Sequence, residues 1–237
     1  RVYRIQTKEG KAWDSDYRTK FAKYKADDSK IIYERDKLLG CAVEARLRGL
    51  GLVQGKSKTP RQLKITVFGS QKPEIGNDVP VWIRHGWDVQ EAQVRIEAAA
   101  EGTENPLIMV FLPRMFHNEI RSEIAGMLAA REIIQTRPAP STDEGQQAKT
   151  NIEAKCRNHV ARLDGYIASI LANTKLYPGG GVGVDCPDLV KAVHDAAQNS
   201  MLRMFPRFNE ADAVGWDRVI PKVKADARAP LETIGFA

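Results

Sequence analysis

Leu107-Ile-Met-Val-Phe-Leu112 is the stretch that most narrows what this chain can fold into. A continuous apolar run of this kind belongs to a strand buried on both faces of a sheet, so helices must cover that sheet. Two further strands are legible nearby. Leu63 to Phe68 alternates as Leu-Lys-Ile-Thr-Val-Phe, and Val79 to Arg84 begins with Pro80 in its second position, which suits an edge strand. Helices follow at about Val89 to Ala100 and Met115 to Thr136. The second places Ile120, Ile124, Met127, Leu128 and Ile134 on one side before Pro138 stops it. The order β, β, α, β, α predicts a small mixed sheet with covering helices, an α/β (mixed α+β) fold.

Two long helices flank this portion. From about Ser15 to Arg48, Tyr17, Phe21, Tyr24, Ile31, Leu38, Ala42 and Ala45 fall four or three apart, with Asp28 and Arg35 in the two polar gaps of the seam. Asp14 can cap its start, and Gly49 and Gly51 can end it. Pro138-Ala-Pro140 is a stiff connection to a second helix that Ser141 and Glu144 open with capping-box spacing and that reaches about Leu176. Its stripe is Ala148, Ile152, Cys156, Val160, Leu163, Ile167, Ile170 and Leu171. At 1.5 Å per residue each helix spans about 50 Å, and matching lengths predict an antiparallel pair with the α/β portion as a head. Pro178-Gly-Gly-Gly181-Val-Gly183 reads as a hinge or tight turn, followed by a helix from Asp188 to Met204 and a short helical stretch through Trp216. The reading divides the chain into residues 1–50, 51–137, 138–177 and 178–237.

No run approaches the ~18 apolar residues of a membrane span. Arg1-Val2-Tyr3-Arg4 has neither a signal core nor an initiator methionine, so the chain reads as a cytoplasmic segment cut from something longer. Cys41, Cys156 and Cys186 are odd in number and widely spaced, which fits reduced thiols. The net charge of +6 arises from 36 basic and 30 acidic residues, so most charges have an opposite neighbour. One stretch departs from that balance: Ala45 to Pro73 holds Arg46, Arg48, Lys56, Lys58, Arg61, Lys64 and Lys72 and no acid. Such a run can hold phosphates, or it can be solvated or paired within the chain.

Motifs for chemistry are incomplete. Gly51-Leu-Val-Gln-Gly55-Lys56-Ser57 approaches a phosphate-binding loop, yet its spacer is one residue short and Gly49 makes it one too long. It also follows a helix and leads into a strand, the reverse of such a loop, so it reads as a basic turn. Gly179 and Gly181 begin a dinucleotide fingerprint that Val184 breaks. Cys156-x-x-His159 with Cys186 and His194 offers soft ligands, but Cys156 sits on an apolar stripe, so no metal site is assigned. His85, His117, His159 and His194 are scattered, and no nucleophile elbow or metalloprotease motif is present, so no catalytic residue is assigned. Arg84-His85-Gly86-Trp87 at a strand end suits either a ligand site or a packed turn.

A family resemblance is spread over nearly the whole chain. Tyr3 to Trp13, Gly55 to Arg61, Val79 to Arg84 with Gly86-Trp87, Val110 to Arg114, Leu128 to Glu132 and Phe205-Pro206-Arg207-Phe208 resemble the interior of the large P-loop ATPase of BREX phage-defence systems (the BrxC/PglY family). The resemblance implies a parent that uses ATP and magnesium through motifs outside this segment and acts with other defence components. It carries no catalytic or cofactor-binding residue onto these positions. The segment is therefore expected to be a non-catalytic module that couples nucleotide state to self-assembly or partner binding. The alternative is a module that binds the DNA backbone through Lys56, Lys58, Arg61, Lys64, Arg84 and Arg114.

Overall fold

The computed structural model describes residues 8–212. In chain order its elements are α1 Lys8–Ala26, α2 Asp28–Leu47, β1 Leu52–Gln54, β2 Thr59–Arg61, β3 Leu63–Val67, β4 Val79–His85, α3 Glu91–Glu101, β5 Ile108–Leu112, α4 His117–Thr136, α5 Asp143–Ala172, β6 Thr174–Tyr177, β7 Val184–Cys186, α6 Leu189–Met204 and α7 Phe208–Asp212. The protein is mixed α/β. Its described residues divide into a helical unit, residues 8–45 and 114–171, and a sheet unit, residues 46–113 and 172–212. These units are not the four consecutive blocks read from the sequence, because α4 packs on α1 and the last strands and helices complete the sheet.

In the helical unit, Trp13, Ala130, Ile133, Ala148 and Ile152 form one buried cluster, with Tyr17, Ile134 and Cys156 against it. Three helices therefore share the core. α4 and α5 are an antiparallel hairpin, joined through Pro138 and Pro140, with Phe116 against Tyr166 at 5.0 Å between ring centroids. α1 runs antiparallel to α4, since Lys20 pairs with Glu132 at 2.5 Å and Arg121 reaches the Lys25 carbonyl at 2.7 Å. It must then run parallel to α5. The register shows this: Glu9 lies by Thr142, Asp14 by Lys155 at 2.7 Å and Tyr17 by His159 at 2.8 Å. The expected antiparallel pairing of the two long helices is thus corrected, because α4 intervenes in the direction of the chain.

The expected single helix from Ser15 to Arg48 is two helices. Asp27 ends the first, its N–H donating to the Tyr24 carbonyl at 3.1 Å, and caps the second by accepting the Lys30 N–H at 3.1 Å. Beyond that break the buried row is Ile31, Arg35, Leu39, Val43 and Leu47, four apart. Ala45 of the expected seam is exposed.

In the sheet unit, the five strands lie in the order β3-β4-β5-β6-β7. β3, β4 and β5 are parallel, and β6 and β7 continue antiparallel. β5 is buried along its whole length, as its apolar run predicts. β4 lies inside the sheet, not at the edge that Pro80 suggested. The Val79 N–H donates towards β3, to the Gln62 carbonyl at 2.9 Å, so alternation turns the Pro80 nitrogen towards β5. Pairing with β5 starts only at Val81↔Ile108, so Pro80 removes no ladder bond. β6 occupies the end of what reads as the second long helix: α5 stops at Ala172, and Thr174-Lys-Leu-Tyr177 pairs with β5.

Alternation sorts the two faces. Trp82, Met109, Phe111 and Tyr177 meet Val94 and Ala98 of α3. Leu176 pairs with Val110 on the opposite face, and α6 packs against β4, β5 and β6 there. Asp188 caps α6, accepting the Lys191 N–H at 3.1 Å. The glycine cluster is a tight turn rather than a hinge. Gly181, at φ +75°, approaches α3 so closely that a Cβ would sit 2.7 Å from the Ala99 Cβ, and the Gly180 N–H donates to the Ala98 carbonyl at 3.1 Å.

Candidate functional site

Gly55-Lys56-Ser57 forms the tip of the β1–β2 hairpin, whose register is Leu52↔Arg61, Val53↔Pro60 and Gln54↔Thr59. Four loop residues join the strands, with the Lys58 N–H donating to the Gly55 carbonyl at 3.3 Å. Gly55 at φ +70° and Lys58 at φ +53° complete the reversal. A helix does not follow the lysine, so the amides do not form the wide cradle of a phosphate-binding loop. They hold a side chain instead. The Lys56 N–H donates to Asp212 Oδ2, and the Ser57 N–H reaches Asp212 Oδ2 at 3.2 Å and Oδ1 at 3.3 Å. Hydrogen bonding from Ser57 first, and then from the Lys56 amide with its nearby charge, keeps the Asp212 carboxyl below its ordinary range.

The structure divides the six expected nucleic-acid contacts. Arg61 is used within the sheet unit: its Nε donates to Gln54 Oε1 at 2.9 Å, and its guanidinium lies 3.8 Å from the Phe205 ring centroid and 5.3 Å from that of Phe208. Arg84 is buried. It pairs with Glu97 at 3.2 Å and Asp88 at 3.6 Å and lies over Trp82 at 4.5 Å. Lys56 and Lys58 are exposed at the hairpin tip, and Lys64 is exposed on β3, where its Nζ is 3.5 Å from the Glu74 carbonyl. Arg114 is exposed in the helical unit. Lys72, from the same basic stretch, pairs with Glu101. The run without acids is thus partly neutralised by acids distant in sequence.

The Arg84-His85-Gly86-Trp87 strand end is packed. His85 is buried, with its ring 4.3 Å from that of Phe68 and 5.9 Å from that of Trp87, and the Gly86 N–H donates to the Leu112 carbonyl at 2.9 Å. These contacts match the reading as a fixed turn. Among the described residues no group of three or more His, Cys, Asp or Glu side chains is placed to hold a metal ion. His159 is engaged at both ring nitrogens, by the Tyr17 hydroxyl at 2.8 Å and Glu123 at 2.5 Å. Burial raises the Tyr17 hydroxyl above its usual pKa, and Glu123 adds to the shift. Burial likewise pushes the Cys186 thiol up, away from the thiolate that metals and electrophiles need.

Two features escape a reading of the sequence. Asp212 lies 156 residues from the Lys56 amide it accepts from, and no local pattern links them. A groove of about 330 Å³ runs between the β6–β7 hairpin and α6, lined by Leu176, Val184, Cys186, Asp185, Asp195 and Asn199 among others. It depends on β6, which the sequence reads as the end of a helix, and on β7, to which the sequence assigns no element. No described helix is long and apolar enough to cross a membrane. The fold defines a class, mixed α/β with a three-strand parallel portion extended by an antiparallel pair. Neither a protein-family model, nor a curated protein, nor a solved structure matches this chain.

Proposed function

We propose that this chain is a non-catalytic structural and interaction module of a large BREX-type phage-defence ATPase, working in the cytoplasm and linking nucleotide state to self-assembly or to other defence components. The observation that carries this reading is the Gly-Lys-Ser turn. It stands on a hairpin, and its amides already hold Asp212, so the sequence that approaches a phosphate-binding loop makes an internal contact instead. ATP and magnesium then belong to the parent outside this segment. The resemblance, spread from Tyr3 to Phe208, supplies the parent. A helical unit cored by three helices suits the role, because packed helices transmit rigid displacement.

The test is light scattering of the purified chain alone and with each purified BREX component. Self-association or a stoichiometric complex supports the module. A chain that stays monomeric and retains none of the components contradicts it.

A second reading, a DNA-backbone module, is favoured by the exposure of Lys56, Lys58 and Lys64 on one unit. Mobility-shift titration against duplex DNA at two salt concentrations checks it. Binding that weakens with salt and with Lys56→Ala and Lys58→Ala supports it, and no shift at low salt removes it.

A further inference from the structure

Two successive amides that converge on one anion form a nest, a geometry that binds carboxylate and phosphate oxygens alike. The Lys56 and Ser57 amides do so, sharing Asp212 Oδ2, with the Ser57 hydroxyl 2.9 Å from that of Thr59 beside them. Gly55 opens the space. A Cβ there would collide with the Asp212 carboxylate and lie 2.7 Å from the Phe208 ring. Lys56 and Lys58, on either side of Ser57, are both exposed. A phosphate would keep both amide bonds and offer further oxygens to the Lys56 and Lys58 ammonium groups, which one carboxylate does not. The groove by α6 shares no lining residue with this turn. A polymer needs no such recess, because successive phosphates meet successive cations.

From this geometry we infer that the Gly55–Lys58 turn is a receptor for a phosphodiester group of a nucleic-acid backbone, and that Asp212 occupies it in cis as a built-in competitor. The inference deepens the DNA-backbone reading and rests on it. DNA binding then requires release of Asp212 from the amides, and removing the competitor tightens binding.

Anisotropy titration of the full chain with a fluorescein-labelled duplex at low and moderate salt tests this. Asp212→Asn should bind about tenfold tighter, the gain expected if the nest is open in about a tenth of molecules. Glu210→Gln removes the same charge two residues away on α7 and should gain less than about twofold, as a nonspecific charge effect. Lys56→Ala with Lys58→Ala should reduce the salt slope by about two. Equal gains from Asp212→Asn and Glu210→Gln overturn the receptor while the DNA reading stands. No binding by any variant overturns both.

Amide NMR of the unsubstituted chain gives a measurement that does not depend on how a variant folds. The Lys56 and Ser57 resonances should shift saturably with duplex DNA, and also with inorganic phosphate at much higher concentration, with ATP no tighter than phosphate. Unmoved amides overturn the receptor, and ATP binding about tenfold tighter than duplex overturns the choice of a polymer.

Discussion

The sheet unit and the helical unit solve the burial of polar groups in different ways. In the sheet unit an apolar centre runs from Val81 and Ile83 through Val110, and polar side chains are buried around it, Arg84 against Glu97 and Asp88, His85 against Phe68, and Ser200 on the Pro106 carbonyl. In the helical unit a polar chain, Tyr17 to His159 to Glu123, lies among the helices, and Arg162 closes it at 3.2 Å. The difference follows from the elements. A strand buried on both faces is apolar over most of its length, with Arg84 and His85 of β4 confined to its end, whereas three helices with narrow stripes meet at partly polar flanks. One unit therefore holds together by area removed from water, and the other adds hydrogen-bonded register.

Substitution in each unit sharpens that contrast. Ile83→Ala, in the middle of β4 and fully buried, should cost about 2–5 kcal/mol in chemical denaturation. A cost below 1 kcal/mol would break the account of the sheet core. In the helical unit, Gly126 is the close approach of α4 to α5, where a Cβ would lie 2.8 Å from His159 Cδ2. Gly126→Ala should therefore destabilise by about 1–3 kcal/mol, although alanine favours helix by about 1 kcal/mol. A stabilised variant would show that the polar chain yields freely.

Alkaline titration compares the two units directly. Burial first, and then hydrogen bonding to Glu132, pushes the Tyr24 hydroxyl up to about 12. Burial and then Glu91 do the same to Tyr177 in the sheet unit, also to about 12. The folded chain keeps these protons where the unfolded chain has lost them. The resulting stability is complete below about pH 10 and is lost as pH rises towards 12. Tyr177→Phe should remove the sheet unit's share of that loss and cost about 1 kcal/mol at neutral pH. Absorbance and denaturation measured from pH 9 to 12 check both statements. The smallest effect belongs to the surface: Lys72→Ala removes an ion pair whose lysine is 40% exposed and should cost between about 0 and 1 kcal/mol.

The same contrast explains what the sequence made legible. β3, β4, β5, α3 and α6 are nearly complete in the reading because each carries its own pattern: an alternation, an apolar run or a cap at Asp188. The basic-turn reading of Gly55-Lys56-Ser57 also matches its place at a hairpin tip. The break at Asp27 had a local signal, Asp-Asp-Ser, which also fits a continuous heptad seam. β6 follows a strong helical stripe without a glycine or proline between them. Its strand character comes from pairing with β5, a contact across more than sixty residues. The parallel course of α1 and α5 depends on α4, and the hold of Asp212 on the Lys56 amide depends on the whole sheet unit. Of the six candidate cations, Arg61 and Arg84 make internal contacts that escape the sequence for the same reason. Their partners Phe205, Phe208 and Glu97 are neighbours only after folding.

Calorimetric titration of magnesium ATP into the intact chain, with phosphate release followed in parallel, tests most directly whether the Gly-Lys-Ser turn does nucleotide chemistry. The account predicts no one-to-one saturation at micromolar ATP and no turnover. Stoichiometric binding that Lys56→Ala abolishes would contradict it.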